Sequence, residues 1–114
     1  MQNIFKILDF ADLAKAQTLG RFTGAAIDLR DGYIHFSTAA QVKETAQLHF
    51  HGLNNLVLMA VPQEKLGAAL KWEASRGGQL FPHLYAVLNM DDMLWAKPLP
   101  WNGVAHDFPP EVFQ

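Results

Sequence analysis

Leu56-Val57-Leu58-Met59-Ala60-Val61 is a continuous apolar run, closed by Asn54-Asn55 before it and Pro62 after it. Six such residues between turn signals predict a strand buried on both faces. A strand of that kind needs material on each side of its sheet, and the rest of the chain offers short strands and helices in alternation. Asn3 to Leu8 reads as a strand. Asp9 caps a helix over Phe10 to Leu19, with Phe10, Leu13, Ala14 and Gln17 on one side and Gly20 as its stop. Arg21 to Asp31 reads as irregular. Tyr33 to Ser37 is a strand entered through the turn pair Asp31-Gly32. A helix from Ala39 to about His51 carries Val42, Ala46, His49 and Phe50 as its apolar stripe.

Downstream, Pro62 to Gly67 suggests one helical turn. Ala68 to Glu73 alternates as a strand, with Lys71 and Glu73 on its polar face. Arg76-Gly77-Gly78 is a turn before the segment Leu80 to Leu88. Met90 to Met93 suggests another helical turn and Leu94 to Leu99 a last strand. The tail 98–114 holds four of the six prolines and is expected to lie extended on the surface. The expected fold class is α+β: a single domain over residues 1–114, with a mixed, mostly antiparallel sheet and short flanking helices.

Composition excludes several function classes. A net charge of −2 with nine Lys plus Arg leaves no electrostatic footprint for nucleic acid. No cysteine means no disulfide, no thiolate nucleophile and no Cys-ligated zinc. No apolar run approaches the roughly 20 residues of a membrane span. Met1-Gln2-Asn3-Ile4-Phe5-Lys6 lacks the form of a secretory signal, so a cytoplasmic location is expected. Glycine-rich phosphate loops and nucleophile elbows are absent.

The residues that remain for chemistry fall in three places. His35 and Ser37 lie two apart on one strand face, and Thr38-x-x-Gln41 then has the form of a capping box. A histidine and two hydroxyls at a strand-to-helix junction suit a ligand, because helix N-termini attract anions. Glu73, with Arg76 three residues on, could take a proton or orient a nucleophile, or could simply pair with Lys71 or Arg76. Phe81-Pro82-His83-Leu84-Tyr85 offers an imidazole and a phenol on one strand face, with a proline that implies an edge or a bulge. His49 and His51 point in different directions on a helix and do not form a chelating pair, so no metal is expected.

Asp31-Gly32-Tyr33-Ile34-His35-Phe36-Ser37-Thr38, Lys71-Trp72-Glu73 and Phe81-Pro82-His83-Leu84-Tyr85 resemble a family of small bacterial proteins classed as a domain of unknown function. The resemblance spans roughly Ile4 to Leu99. It implies an ADP-ribosyltransferase-like fold, in which a split, bent sheet grips NAD. On that resemblance the ligand is an NAD- or ADP-ribose-type nucleotide, and the reaction is ribosyl or phosphoryl transfer. The implied catalytic residues are His35, holding a ribose or phosphate, Glu73, polarising a ribose hydroxyl, and Tyr85, at the base. With the constellations above, the expected nucleotide-binding set is His35, Ser37, Thr38, Gln41, Arg76 and His83, and Arg21 or Arg30 could also reach a phosphate. The alternative on the same scaffold is a non-enzymatic module that binds a small molecule or a protein.

Overall fold

The apolar run becomes a strand with neighbours on both edges and cores on both faces. In chain order the elements are β1 (Asn3–Asp9), α1 (Phe10–Leu19), β2 (Arg21–Phe22), α2 (Ala26–Asp31), β3 (Ile34–His35), α3 (Val42–His49), β4 (Leu56–Pro62), β5 (Leu70–Ala74), β6 (Leu80–Leu84), β7 (Leu88–Asn89) and β8 (Trp95–Pro98). The computed structural model describes residues 2–114. Strands assemble as β1-β4-β8, β3-β6-β5 and the two-stranded ribbon β2-β7. Every strand pairing among the described residues is antiparallel, not mixed. The two larger sheets meet at one point, where Phe5 and Ser37 exchange both backbone hydrogen bonds at 2.8 Å. No helix among the described residues is long and apolar enough to cross a membrane.

Strand periodicity sorts β4 into two cores. Val57, Met59 and Val61 pack with Ile4, Leu8, Leu13, Phe22, Ile34 and Leu84. Leu56, Leu58 and Ala60 pack on the other face with Phe5, Ile7, Val42, Ala46, Leu99 and Val112. The tail therefore does more than lie on the surface. Leu99 and Val112 close the second core, and residues 110–113 form a 3-10 turn rather than extended chain. Pro110 suits the first position of that turn, where no N–H is required.

Helix α1 begins directly off β1. Asp9 accepts the Asp12 N–H at 2.7 Å, and Gly20 ends the helix at φ 78°, a conformation that favours glycine. Its inward residues are Leu13 and Ala16, whereas Phe10 is half exposed, so the expected stripe is rotated. The absence of any linker after β1 sets that rotation. The stretch from Arg21 to Asp31 is ordered into β2 and α2, not irregular. Pairing of β2 with β7 is remote in sequence, and α2 is too short for a periodic signal.

Strand β3 is shorter than Tyr33–Ser37 because its partner contains Pro82. Phe36 N–H donates to the Pro82 carbonyl at 3.0 Å, but Pro82 has no N–H to return. The chain leaves β6 there and bonds to β1 through Ser37. Pro82 itself lies on the middle strand of its sheet, not on an edge. Helix α3 starts at Val42, later than expected, with only half of the capping box formed: Thr38 N–H donates to Gln41 Oε1 at 3.0 Å. Val42 and Ala46 face the core while His49 is exposed.

One polar hub locks these elements. Lys6 lies on a strand face between Ile4 and Leu8 and is 5% exposed. Its Nζ donates to Asp28 Oδ1 at 2.9 Å. The same oxygen accepts the His35 N–H at 3.0 Å and faces His35 Nδ1 at 2.7 Å, while Oδ2 accepts the Ala25 N–H at 2.8 Å. Burial alone would raise the Asp28 carboxyl, but the His35 hydrogen bonds and the Lys6 charge overcome it and hold the group at about 2. Burial pushes the Lys6 amine down, against the pull of Asp28.

Two outcomes are expected for stability. Leu99→Ala should cost about 2–5 kcal/mol in urea unfolding by emptying the second core, whereas Leu94→Ala, at an exposed site, should change it by less than about 0.5 kcal/mol. Asp28 is less protonated in the folded chain than in the unfolded one between pH 4 and 2, so its contribution is present above that window and lost as pH falls through it. Asp28→Asn should be destabilised by about 3–5 kcal/mol near neutral pH. The gap to the parent should narrow by about 2 kcal/mol in melts at pH 2. A gap independent of pH would show that Asp28 is not held ionised.

Candidate functional site

The β3–β6 register places His35 directly opposite His83. Because Phe36 and Pro82 form the hydrogen-bonded pair beside them, His35 and His83 form the non-bonded pair, whose side chains stand closest. Their ring centroids are 5.5 Å apart at 67°. The same alternation turns the His35 N–H away from β6, which is why Asp28 can take it. Thus one buried carboxylate orients both the backbone and the ring of His35.

The other His35 nitrogen, Nε2, lies 3.0 Å from Asp31 Oδ2. Both ring contacts are hydrogen bonds together only when both nitrogens carry protons. Asp31 is the last residue of α2, and Gly32 at φ 87° turns the chain back toward β3. That turn brings the carboxylate and the imidazole four residues later onto each other.

His83 is held differently. It is 4% exposed, and its Nδ1 lies 2.8 Å from Glu73 Oε1. The Tyr85 hydroxyl donates to the same oxygen at 2.8 Å. The His83 hydrogen bond, followed by that of Tyr85, holds the Glu73 carboxyl below its usual range; the carboxylate in turn raises the Tyr85 phenol. Among the described residues no protein group bonds to His83 Nε2. The Tyr33 ring stacks on His83 with centroids 4.1 Å apart, and reaches His35 at 4.5 Å and Tyr85 at 5.2 Å.

His35 and His83 line a cavity of about 390 Å³ with Ser37, Thr45, Arg76 and Lys6 as its other main polar groups. Phe5, Ile7, Phe36, Phe50 and Phe81 make much of the wall apolar. Ser37 and Thr45 share a hydroxyl contact at 3.0 Å. Arg76 Nε lies 2.8 Å from Glu44 Oε1 as an ion pair without the alignment of a hydrogen bond, and its guanidinium sits over the Phe81 ring. Glu73 therefore pairs with His83 and Tyr85, not with Lys71 or Arg76. Glu73 and Tyr85 adjoin the cavity behind His83 without lining it.

Thr38 and Gln41 fall outside the cavity. Gln41 accepts from Thr38 N–H and donates to the Leu80 carbonyl at 2.8 Å, tying the start of α3 to β6. Its amide is engaged by backbone, a structural use that the sequence pattern did not distinguish from ligand binding. Arg21 lies on the β2–β7 ribbon and does not line the cavity, while Arg30 is bound to Asp31. His49 borders this cavity and His51 borders another, of about 340 Å³, beside Trp101 and His106. No group of three or more His, Asp or Glu residues suited to a metal ion occurs among the described residues.

The sequence reading missed Lys6, Asp28, Asp31 and Tyr33. Lys6 carried a signal: a lysine inside Ile4-Phe5-Lys6-Ile7-Leu8 requires a buried anion. Asp28 carried a weaker one, since it stands three residues after Ala25, where an acidic side chain reaches back to a helix start.

The chain as a whole is similar to proteins of known structure. The crystal structure of protein CC0527 from Caulobacter crescentus is 43% identical, covers 98% of this chain and 99% of its own, and superposes with a TM-score of 0.93. A double mutant of CC0527 gives 42% identity and the same TM-score over the same coverage. The solution NMR structure of CC0527 gives 45% identity and a TM-score of 0.85, covering 97% of this chain and 96% of its own. No curated protein matches the chain significantly. Residues 7–96 match the family described as "Protein of unknown function (DUF952)", and the chain belongs to that family.

Proposed function

We propose that the cleft at His35 and His83 binds an NAD- or ADP-ribose-type nucleotide and that His83 moves the proton in a ribosyl or phosphoryl transfer. The observation that carries this reading is His83 itself. A buried imidazole with one nitrogen fixed on a carboxylate and the other without a protein partner, bordering a cavity, is arranged as a general base. The mostly apolar wall suits a nucleobase or pyridine ring, and the cavity volume suits one nucleoside half rather than a whole dinucleotide. Two antiparallel sheets that meet at Phe5 and Ser37 support the ADP-ribosyltransferase-like reading of the fold.

The roles shift with the geometry. Glu73 Oε1 is engaged by His83 and Tyr85, so Glu73 positions the base, and only Oε2 remains for a ribose hydroxyl. The Tyr85 hydroxyl is likewise engaged, which leaves its ring for stacking. Arg76 and Lys6 are the cations that border the cavity. Gln41, whose amide is engaged by backbone, and Ser37, whose hydroxyl meets that of Thr45, favour the second reading, a binding module without chemistry.

Calorimetry at low salt with NAD and with ADP-ribose separates these. Heat with at least one nucleotide and none with duplex DNA is the expected result. Where turnover is detected, His83→Ala should lower kcat by about 10²–10⁴-fold. Glu73→Gln should lower kcat with little change in KM, as expected for an interaction made in the transition state. Binding without turnover selects the module, and no heat with either nucleotide removes the nucleotide reading.

A further inference from the structure

Asp31 touches two basic side chains at once. Its Oδ2 lies 3.0 Å from His35 Nε2, and its carboxylate takes Arg30 Nε at 2.9 Å and Nη2 at 3.4 Å. Unlike Asp28, which is 1% exposed in its side chain and holds four groups, Asp31 is 27% exposed and Arg30 is 70% exposed. Asp31 can therefore swing into water by side-chain rotation, without disturbing a core. When it leaves, an imidazole Nε2 fixed in direction by Asp28 and a planar guanidinium fork both lose their carboxylate partner. Such a pair matches a phosphate, which can accept from both.

We propose that Asp31 is an internal stand-in for a phosphate group: it latches His35 and Arg30 in the free protein, and a ligand phosphate displaces it to bind both. The inference rests on the nucleotide reading only for the identity of the ligand that carries the phosphate. His35 then anchors charge while His83, across the strand pair, remains available for proton transfer. The latch lowers apparent affinity by the fraction of time that it is closed. It also selects against weak monoanions, because the ligand has to outcompete a resident carboxylate.

The test titrates inorganic phosphate, and separately ADP-ribose, into the parent and Asp31→Asn proteins while following the His35 ring by ¹⁵N–¹H NMR. Asp31→Asn keeps the shape and removes the charge. Exposed pairs of this kind are each worth up to about 1 kcal/mol, so phosphate should bind about fivefold more tightly to the variant. Adding His35→Ala or Arg30→Ala should abolish that gain. Asp31→Ser is the second variant should Asp31→Asn melt early, and the same tightening is expected of it. Unchanged or weaker phosphate binding by a folded Asp31 variant overturns the latch, as does tightening that survives loss of both His35 and Arg30. The two failures are separable. Tightening for phosphate without any ADP-ribose binding keeps the latch and removes the nucleotide, whereas ADP-ribose binding that is indifferent to Asp31 does the reverse.

Discussion

A lysine buried in a β-strand forces much of what surrounds it. With Ile4 and Leu8 on the same face, Lys6 is almost wholly withdrawn from water, and an uncompensated ammonium there would outweigh the hydrophobic gain of its neighbours. Asp28 answers it, and that requirement fixes where α2 must pack. The carboxylate then has acceptor capacity left over, which the His35 backbone, the His35 ring and the Ala25 N–H fill. The consequence is positional. β3 is only two residues long and could not hold a side chain rigidly by its ladder alone, so the hub supplies the rigidity that the sheet does not.

The second constraint is the point at which the two sheets join. Pro82 interrupts reciprocal bonding to Phe36, and the chain crosses to β1 through Ser37 and Phe5. A crease forms where one sheet hands over to the other, and Ser37, Phe5, His35 and His83 all border the cavity that opens there. The proline that read as an edge signal thus acts inside a sheet, by ending a pairing. Its position also explains why His35 and His83 face each other without backbone bonds between them.

Local signals were legible where the chain decides structure locally. Asp9 and Gly20 bracket α1, and the run at Leu56 becomes a strand covered on both faces, because caps and apolar continuity depend on neighbours in sequence. What was not legible depends on distant partners. β2 exists because β7 pairs with it; the tail buries Leu99 and Val112 because the second core needs closing. Glu73 looked like a partner for nearby cations, yet its ligands come from β6 and beyond, ten and twelve residues away. Gln41 and Thr38 looked like ligand groups because a cap and an anion site use the same atoms, and only the position of Leu80 distinguishes them.

The two histidines are chemically unequal, although they face each other across one strand pair. His35 has a carboxylate on each ring nitrogen, one buried and one exposed. The direction of that ring is fixed by the group with the least freedom, Asp28. His83 has a carboxylate on one nitrogen only, and that carboxylate is shared with Tyr85. A ring held through Nδ1–H presents Nε2 as a lone pair, the form that accepts a proton. Tyr33 packs against both rings. In the proposed reading His35 anchors charge and His83 transfers the proton, two demands that a single imidazole does not meet together.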